Sequence, residues 1–147
     1  MTDEIILNFQ VKADDFTRAG EASSNVKSML KRMGVEPTII RRTAIAMYEG
    51  EINMVIHANG GEISVKITSE MITMVLKDKG EGIPNVDKAM QEGFSTASDS
   101  ARLLGFGAGM GLPNMKKYTD EMKIDTIIGQ GTTVTMILHI NEEKQNG

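Results

Sequence analysis

The 147-residue chain contains no cysteine, no tryptophan and only three prolines. The lack of cysteine excludes disulfides, thiolate metal sites and cysteine nucleophiles. No run approaches the ~20 apolar residues of a membrane-spanning helix, and the N-terminus lacks the basic and apolar segments of a secretory signal. The formal net charge of −4 argues against nucleic-acid binding, which requires Lys and Arg to neutralise phosphates. These absences predict a cytoplasmic protein that binds neither membranes nor nucleic acid directly.

The composition that remains is typical of one folded domain. Hydrophobic residues make up 40% of the chain and charged residues 24%, which is ordinary for a globular protein. The length is close to the usual size of one domain, and neither an internal repeat nor a linker interrupts it. We therefore interpret residues 1–147 as a single domain, with a polar tail at 141–147.

The periodicity of the apolar residues predicts an alternation of strands and helices. Strands repeat apolar residues every second position, and helices every third or fourth. The first helix is expected to begin at Asp14 or Asp15 and to end at Gly34, and the second to run from Pro37 to Gly60. The order predicts an α+β two-layer sandwich, with a mostly antiparallel mixed sheet and helices on one face. Strands are expected at 5–11, 62–68, 71–77, 122–128 and 132–140, and short helices at 86–90 and 112–118.

A glycine-rich segment of about thirty residues, 84–111, is unusual inside a compact domain and is typical of a functional lid. Its alternating glycines free successive backbone N–H groups to face one anion, and the helix that follows adds its N-terminal dipole. The alternative is a flexible linker, but linkers are usually mixtures of glycine and serine, whereas Phe, Ala and Met are interleaved here. Phosphate contact is therefore favoured. The glycines concerned are Gly105, Gly107, Gly109 and Gly111.

The second predicted helix carries polar residues at four-residue spacing. Glu49, Asn53 and His57 lie on one face of an otherwise apolar helix. A carboxylate beside a carboxamide suits oxygen ligation of a hard cation, or the positioning of a nucleophile's proton. The alternative is that Glu49 faces solvent and that Asn53 caps a neighbouring segment.

Asp78 follows a predicted strand directly and opens the segment Asp-Lys-Gly-Glu-Gly-Ile-Pro. A fixed carboxylate can accept a hydrogen bond from an amino group, and Gly80 and Gly82 allow a flat ring to approach the backbone. Such a charged hydrogen bond contributes about 1.5–3 kcal/mol, enough to select adenine over guanine. The alternative is an ordinary Asp-x-Gly turn.

Other nucleotide and metal motifs are absent from the sequence. No glycine-rich segment ends in Gly-Lys-Ser/Thr, and no Gly-x-Gly-x-x-Gly follows a strand. The protein-kinase tripeptides His-Arg-Asp and Asp-Phe-Gly are missing as well. Two histidines without cysteine leave no catalytic zinc set.

The order and spacing of the motifs, from about Thr38 to Ile140, resemble the ATPase fold shared by gyrase, histidine kinases and MutL. They are Glu-x-x-x-Asn, Asp-x-Gly-x-Gly, the glycine-rich segment, and Gly-x-Gly-Thr before the last strand. Within that superfamily, the size and the N-terminal strand and helix look most like the bacterial anti-sigma factor serine kinases. The segment from Gly109 to Lys116 is closer to the histidine-kinase version, and the connection at Gly60-Gly61 is shorter than expected.

The resemblance implies ATP or ADP as ligand and a role for each matching residue. Asn53 would hold Mg²⁺ between the triphosphate oxygens, Glu49 would act as general base, and Asp78 would accept a hydrogen bond from the adenine amino group. Arg102 would clamp the γ-phosphate, or remain a solvated residue of the lid. The other residues assigned to the nucleotide are His57, Gly80, Gly82, Ile83, Gly105, Gly107, Gly109, Gly111, Leu112 and Thr132.

The resemblance also implies a function. We expect a serine kinase that phosphorylates a small anti-sigma-factor antagonist and sequesters a sigma factor when the antagonist is unavailable, in a homodimer as in related kinases. One alternative is a nucleotide-gated binding module that switches partners without phosphoryl transfer. Another is a stand-alone histidine-kinase-type ATPase domain, which is disfavoured because the chain offers no separate phosphoacceptor helix.

Overall fold

The computed structural model describes residues 4–15, 17–57, 60–90 and 111–140, with only the backbone of His57. Both hairpins and both long helices are present, which confirms the predicted order of these elements. The elements within the described ranges are β1 (Ile5–Val11), α1 (Glu21–Arg32), α2 (Pro37–His57), β2 (Gly61–Ile67), β3 (Met71–Asp78), α3 (Val86–Ala89), α4 (Gly111–Lys117), β4 (Glu121–Ile127) and β5 (Gly131–His139).

The five strands form one sheet in the order β1-β2-β3-β5-β4. All four neighbouring pairs are antiparallel, so the mostly antiparallel sheet is confirmed, and these strands contain no parallel pair that would make it mixed. Strand β5 lies between β3 and β4, which leaves β1 and β4 at the edges. Side chains alternate between a buried and a more exposed face on every strand. The helices cover the buried face, as an α+β two-layer architecture requires.

Methionines occupy the centre of the core. Met74 of β3 pairs with Met136 of β5, which in turn pairs with Met122 of β4. Met47 of α2 and Met115 of α4 are fully buried against this layer. Because methionine is unbranched and flexible, it fills the irregular gaps between helices and a twisted sheet.

Gly50 determines how closely α2 approaches the sheet. A β-carbon at this position would overlap Leu76 Cδ2 of β3, and it would lie 3.2 Å from Met115 Sδ of α4. The missing side chain therefore lets three elements meet at one point. This contact brings the middle of α2 onto the end of β3 that leads to Asp78.

The first helix begins later than the sequence pattern predicts. Asp14 has a positive φ of 56°, and the Asp15 carboxylate accepts a hydrogen bond from the Thr17 hydroxyl in a turn, so neither residue caps the helix. Helix α1 starts at Glu21, after Gly20 with φ 96°. The prediction of Gly34 as the terminator is consistent with its φ of 75°, which follows the last turn of the helix.

A buried carboxylate from α2 caps the start of α1. Glu51 is 3% exposed, and its Oε2 accepts hydrogen bonds from the N–H groups of Gly20 at 3.0 Å and Ala22 at 3.1 Å. Its Oε1 accepts a third from Ser23 at 3.1 Å. The negative charge also faces the positive end of the helix dipole. Glu51 therefore fixes α1 to α2, although the sequence pattern did not single it out.

Replacing Glu51 by glutamine is expected to destabilise the fold. The amide can present its single oxygen to two of the three N–H groups, but its NH₂ group then faces the third. A buried donor left unsatisfied costs roughly 1–3 kcal/mol, and each kcal/mol lowers Tm by roughly 2–4 °C in a chain of this size. Thermal unfolding should therefore show a fall of several degrees for Glu51→Gln. The half-buried Glu49 is the matched control, and a Glu49→Gln variant with the same loss would contradict this account.

An ion pair fixes the end of the sheet that lies farther from Asp78. Arg42 of α2 binds Asp120 at 2.9 Å, and the same carboxylate accepts a hydrogen bond from the N–H of His139 at 2.7 Å. Burial alone would raise the pKa of Asp120, but the His139 N–H and the Arg42 guanidinium outweigh it and hold this pKa below its ordinary value. Asp120 therefore anchors β4 at the end of β5 farther from Asp78.

Candidate functional site

Asp78 lies at the end of β3 with one carboxylate oxygen engaged. Its Oδ1 accepts hydrogen bonds from the N–H groups of Gly80 at 3.0 Å and Thr132 at 2.9 Å. The other oxygen, Oδ2, has no hydrogen-bond partner among the described residues. The backbone thus fixes the orientation of the side chain and leaves one acceptor oxygen available to a ligand.

Two glycines bring the β4–β5 hairpin close to the segment after Asp78. Gly131 has φ 140°, and a β-carbon there would overlap the main-chain oxygen of Asp78. Gly82 has φ 87°, and a β-carbon there would lie 2.9 Å from the oxygen of Ile127. The N–H of Gly129 donates to the oxygen of Glu81 at 2.8 Å. Residues 80–83 therefore lie directly on the hairpin.

Threonine hydroxyl groups complete this end of the site. The N–H of Ile83 donates to Thr126 Oγ1 at 2.8 Å, and this oxygen lies 2.9 Å from Thr132 Oγ1. Thr132 is buried, and Thr126 is half-buried opposite it on the neighbouring strand. The structure thus brings five sequence-predicted residues together and adds Thr126, which the motifs did not indicate. The five are Asp78, Gly80, Gly82, Ile83 and Thr132.

A second group of polar residues lies where α2 meets α4. The amide of Asn114 donates to Glu49 Oε1 at 3.4 Å. A β-carbon at Gly111 would lie 2.9 Å from both polar atoms of the Asn53 side chain. Glu49 and Asn53 are both half-buried, which disagrees with the alternative that Glu49 simply faces solvent. Asn114 is a site residue that the sequence motifs did not indicate.

The two groups lie at the same end of the sheet. Gly50, beside Glu49, packs on Leu76, which is two residues before Asp78. Met54, beside Asn53, has its terminal methyl 2.9 Å from where a β-carbon of Gly61 would lie, and Gly61 pairs with Asp78. Helix α2 therefore places the carboxylate and the carboxamide above the strand end that carries Asp78.

One further titratable side chain lies beside this helix face. Burial raises the pKa of the Tyr48 phenol, and the carboxylates of Glu49 and Glu51 raise it further. Tyr48 therefore remains protonated at neutral pH. Its ring lies 3.0 Å from the position of a β-carbon on Gly20, so this side chain supports the start of α1.

The other predicted site residues have different outcomes. Leu112 packs against the hydrophobic core from the first turn of α4. Arg102, Gly105, Gly107 and Gly109 lie outside the described residues, as does most of the predicted lid, and so does the side chain of His57. Their assignment to the nucleotide stays a prediction.

A family model described as the histidine kinase-like ATPase domain matches residues 13–138. The chain belongs to this family. Its membership confirms the superfamily resemblance and identifies the chain as an ATP-binding protein. None of the described helices, including the 21-residue α2, is both long and apolar enough to cross a membrane.

Curated relatives cover most of this chain. It is 28% identical over 115 residues to the serine/threonine-protein kinase RsbT of Bacillus subtilis, covering 76% of this chain and 80% of the relative. It is 34% identical over 117 residues to an anti-sigma F factor of Thermoanaerobacter, covering 75% of this chain and 78% of the relative. A third relative, the anti-sigma F factor of Geobacillus thermodenitrificans, is 28% identical over 152 residues and covers 98% of this chain and 97% of its own. These relatives confirm the predicted similarity to anti-sigma factor kinases.

Solved structures share the fold at low sequence identity. A Mycobacterium tuberculosis protein with RsbU and RsbW domains gives a TM-score of 0.61 at 15% identity, covering 91% of this chain and 31% of that one. The mycobacterial sensor histidine kinase MprB gives a TM-score of 0.52 at 15% identity, covering 92% of this chain and 97% of that one. The predicted ATPase fold of gyrase, histidine kinases and MutL, known as the Bergerat fold, is therefore confirmed.

Proposed function

We propose that this chain is an ATP-dependent protein-serine/threonine kinase that acts as an anti-sigma regulatory factor. It phosphorylates a serine of a small antagonist protein, and it sequesters a sigma factor when that antagonist is unavailable. Relatives named as a serine/threonine-protein kinase and as anti-sigma F factors support the proposal. Because these partners regulate transcription, we propose a cytoplasmic location. We also propose that the chain acts as a homodimer, as related kinases usually do.

The pairing of Glu49 with Asn53 one helical turn away carries the proposal. The two side chains emerge from the same part of α2, half-buried under the first residues of α4. A carboxylate in this position can accept the proton of a serine hydroxyl as that hydroxyl attacks. General-base assistance of this kind contributes about 10²–10⁴-fold to a rate. The 3.4 Å contact from Asn114 helps to hold the carboxylate in place.

The residues present fit an adenine nucleotide with magnesium. Asp78 Oδ2 is an acceptor that no described residue occupies, and Gly82 and Gly131 let the β4–β5 hairpin pack closely against the segment that follows Asp78. The Asn53 amide has no hydrogen bond among the described residues, so its oxygen is available to Mg²⁺, which usually takes few protein ligands together with phosphate oxygens. When bound, ATP supplies the phosphoryl group, and Mg²⁺ neutralises the negative charge on the phosphate oxygens.

The proposal is tested by phosphoryl transfer in a purified mixture. The protein is incubated with γ-labelled ATP, Mg²⁺ and small candidate antagonist proteins from the same genome. The expected result is acid-stable label on a serine of one antagonist, abolished when that serine is replaced by alanine. A pull-down should then show that the unphosphorylated antagonist competes with a sigma factor for this chain.

Other outcomes would point to the alternatives. Tight ATP binding and nucleotide-dependent capture of a sigma factor, without any labelled product, would favour the binding module. Acid-labile label on a partner histidine would favour the histidine-kinase type. Failure of every antagonist to accept label, with no capture of a sigma factor, would contradict the proposal.

A further inference from the structure

Two threonine hydroxyls connect the hairpin to the segment after Asp78. Thr126 Oγ1 accepts a hydrogen bond from the N–H of Ile83 at 2.8 Å and lies 2.9 Å from Thr132 Oγ1. Thr132 in turn donates its N–H to Asp78 Oδ1 at 2.9 Å. The two threonines face each other in the β4–β5 register. The network therefore links Ile83 to the carboxylate of Asp78 through both strands.

The 2.9 Å contact allows either threonine to donate, and its surroundings favour one direction. A hydroxyl has one proton to donate, and Thr126 finds no acceptor other than Thr132 Oγ1 among the described residues. Hydrogen bonds in which each hydroxyl accepts one bond and donates the next strengthen one another. In a chain of this kind, running from the Ile83 N–H through Thr126 to Thr132, Thr126 donates to Thr132, and the proton of the buried Thr132 hydroxyl is left without an acceptor in the described part of the chain.

This arrangement of a donor and an acceptor on the protein matches the hydrogen-bonding edge of adenine. Asp78 Oδ2 is an acceptor, and the hydroxyl of Thr132, whose N–H binds the same carboxylate, is a donor in this arrangement. Adenine presents an amino donor at position 6 next to an acceptor at N1, whereas guanine and hypoxanthine present an acceptor at position 6 next to an N1–H donor. An acceptor beside a donor on the protein thus fits adenine and opposes the other two bases.

We propose that Thr126 is a positioning residue that sets the base specificity of the site by fixing the Thr132 hydroxyl as a donor. The proposal rests on the proposed function in that Asp78 and Thr132 bind the base of ATP. Thr126 acts through Thr132 and need not touch the nucleotide. The Ile83 N–H takes one of the two lone pairs of the Thr126 oxygen, which favours Thr126 as the donor to Thr132.

The test compares the affinities of ATP and inosine triphosphate. Thr126→Val removes the hydroxyl at nearly constant volume and should weaken ATP binding about tenfold, the upper range for one neutral hydrogen bond. Inosine triphosphate should lose much less, so the preference for ATP falls by a similar factor. Thr126→Ser should restore both values. Thr133→Val makes the same change on the other face of β5 and should alter neither affinity.

A second arm separates positioning from folding. The compound 1-deaza-ATP lacks the N1 acceptor, so wild type and Thr126→Val should bind it equally. In a Thr132→Val background, adding Thr126→Val should have little further effect on ATP binding. Should Thr126→Val melt far below wild type, Thr126→Ala provides the second truncation.

Equal losses for ATP, inosine triphosphate and 1-deaza-ATP would overturn the proposal, because they would show only that Thr126 supports the Ile83 turn. Unchanged discrimination in a folded Thr126→Val protein would overturn it as well, while leaving the ATP site intact. A wild-type protein that binds none of these nucleotides would instead overturn the proposed function, and with it the positioning role of Thr126.

Discussion

The Glu49→Gln protein is expected to transfer phosphate to its antagonist about 10²–10⁴ times more slowly than wild type, the range for loss of a general base. Glutamine keeps the shape of the side chain, and its oxygen can still accept the hydrogen bond that Asn114 donates to Glu49 Oε1. What disappears is the ability to take a proton from the serine hydroxyl. ATP affinity should change little, because no contact assigned to the nucleotide involves this carboxylate. Single-turnover transfer and calorimetric titration with ATP measure the two quantities separately.

Glu62→Gln is the control for this substitution, because Glu62 is exposed on β2 and its replacement changes the net charge equally. Transfer at the wild-type rate by a folded Glu49→Gln protein would exclude Glu49 as the base. A large loss of ATP affinity would instead indicate that the carboxylate helps to hold the metal–nucleotide complex.

Two glutamates that are two positions apart on α2 have very different surroundings. Glu51 is buried and has its oxygens occupied by three backbone N–H groups, whereas Glu49 is half-buried and receives one long contact. A carboxylate saturated by donors is suited to holding structure, and one with spare acceptor capacity is suited to chemistry. The helix therefore turns the structural carboxylate of Glu51 and the carboxylate proposed as general base, Glu49, to different faces.

The architecture could be predicted because its signals are local. Alternating apolar residues in each strand place every second side chain in the core, and Pro37 and Gly34 mark helix ends by their own backbone preferences. The start of α1 could not be predicted in this way. Its cap comes from Glu51, about thirty residues later in the chain, so only the folded arrangement of α1 and α2 reveals it.

The site was predicted in part for the same reason. Asp78 and its glycines form a continuous motif in the sequence, although the Thr132 N–H that binds Asp78 comes from a strand 54 residues later. Thr126 depends on the strand register. With the predicted loop at 129–131, Ile128 would face Thr132, whereas the observed pairing of Ile127 with Gly131 puts Thr126 there. A shift of one residue at each strand end therefore decides which side chain contacts Thr132.

The Asp78→Asn protein is expected to lose ATP affinity by roughly 10- to 150-fold, which corresponds to a charged hydrogen bond of about 1.5–3 kcal/mol. The asparagine oxygen can take the place of Oδ1, because turning the amide the other way would leave the N–H groups of Gly80 and Thr132 without an acceptor. Its NH₂ group then occupies the position of Oδ2. Two donors, the amide and the adenine amino group, would face each other across the site.

The same geometry predicts a change in base preference that a merely unfolded pocket would not show. The new amide donor faces position 6 of the base, where hypoxanthine carries an oxygen, so inosine triphosphate should lose less affinity than ATP or gain some. Calorimetric titration with both nucleotides measures this, and Asp87→Asn on the exposed surface of α3 provides a control of equal charge. Equal losses for both nucleotides in a folded Asp78→Asn protein would mean that the carboxylate supports the turn without reading the base. Unchanged ATP affinity would remove Asp78 from the binding site altogether.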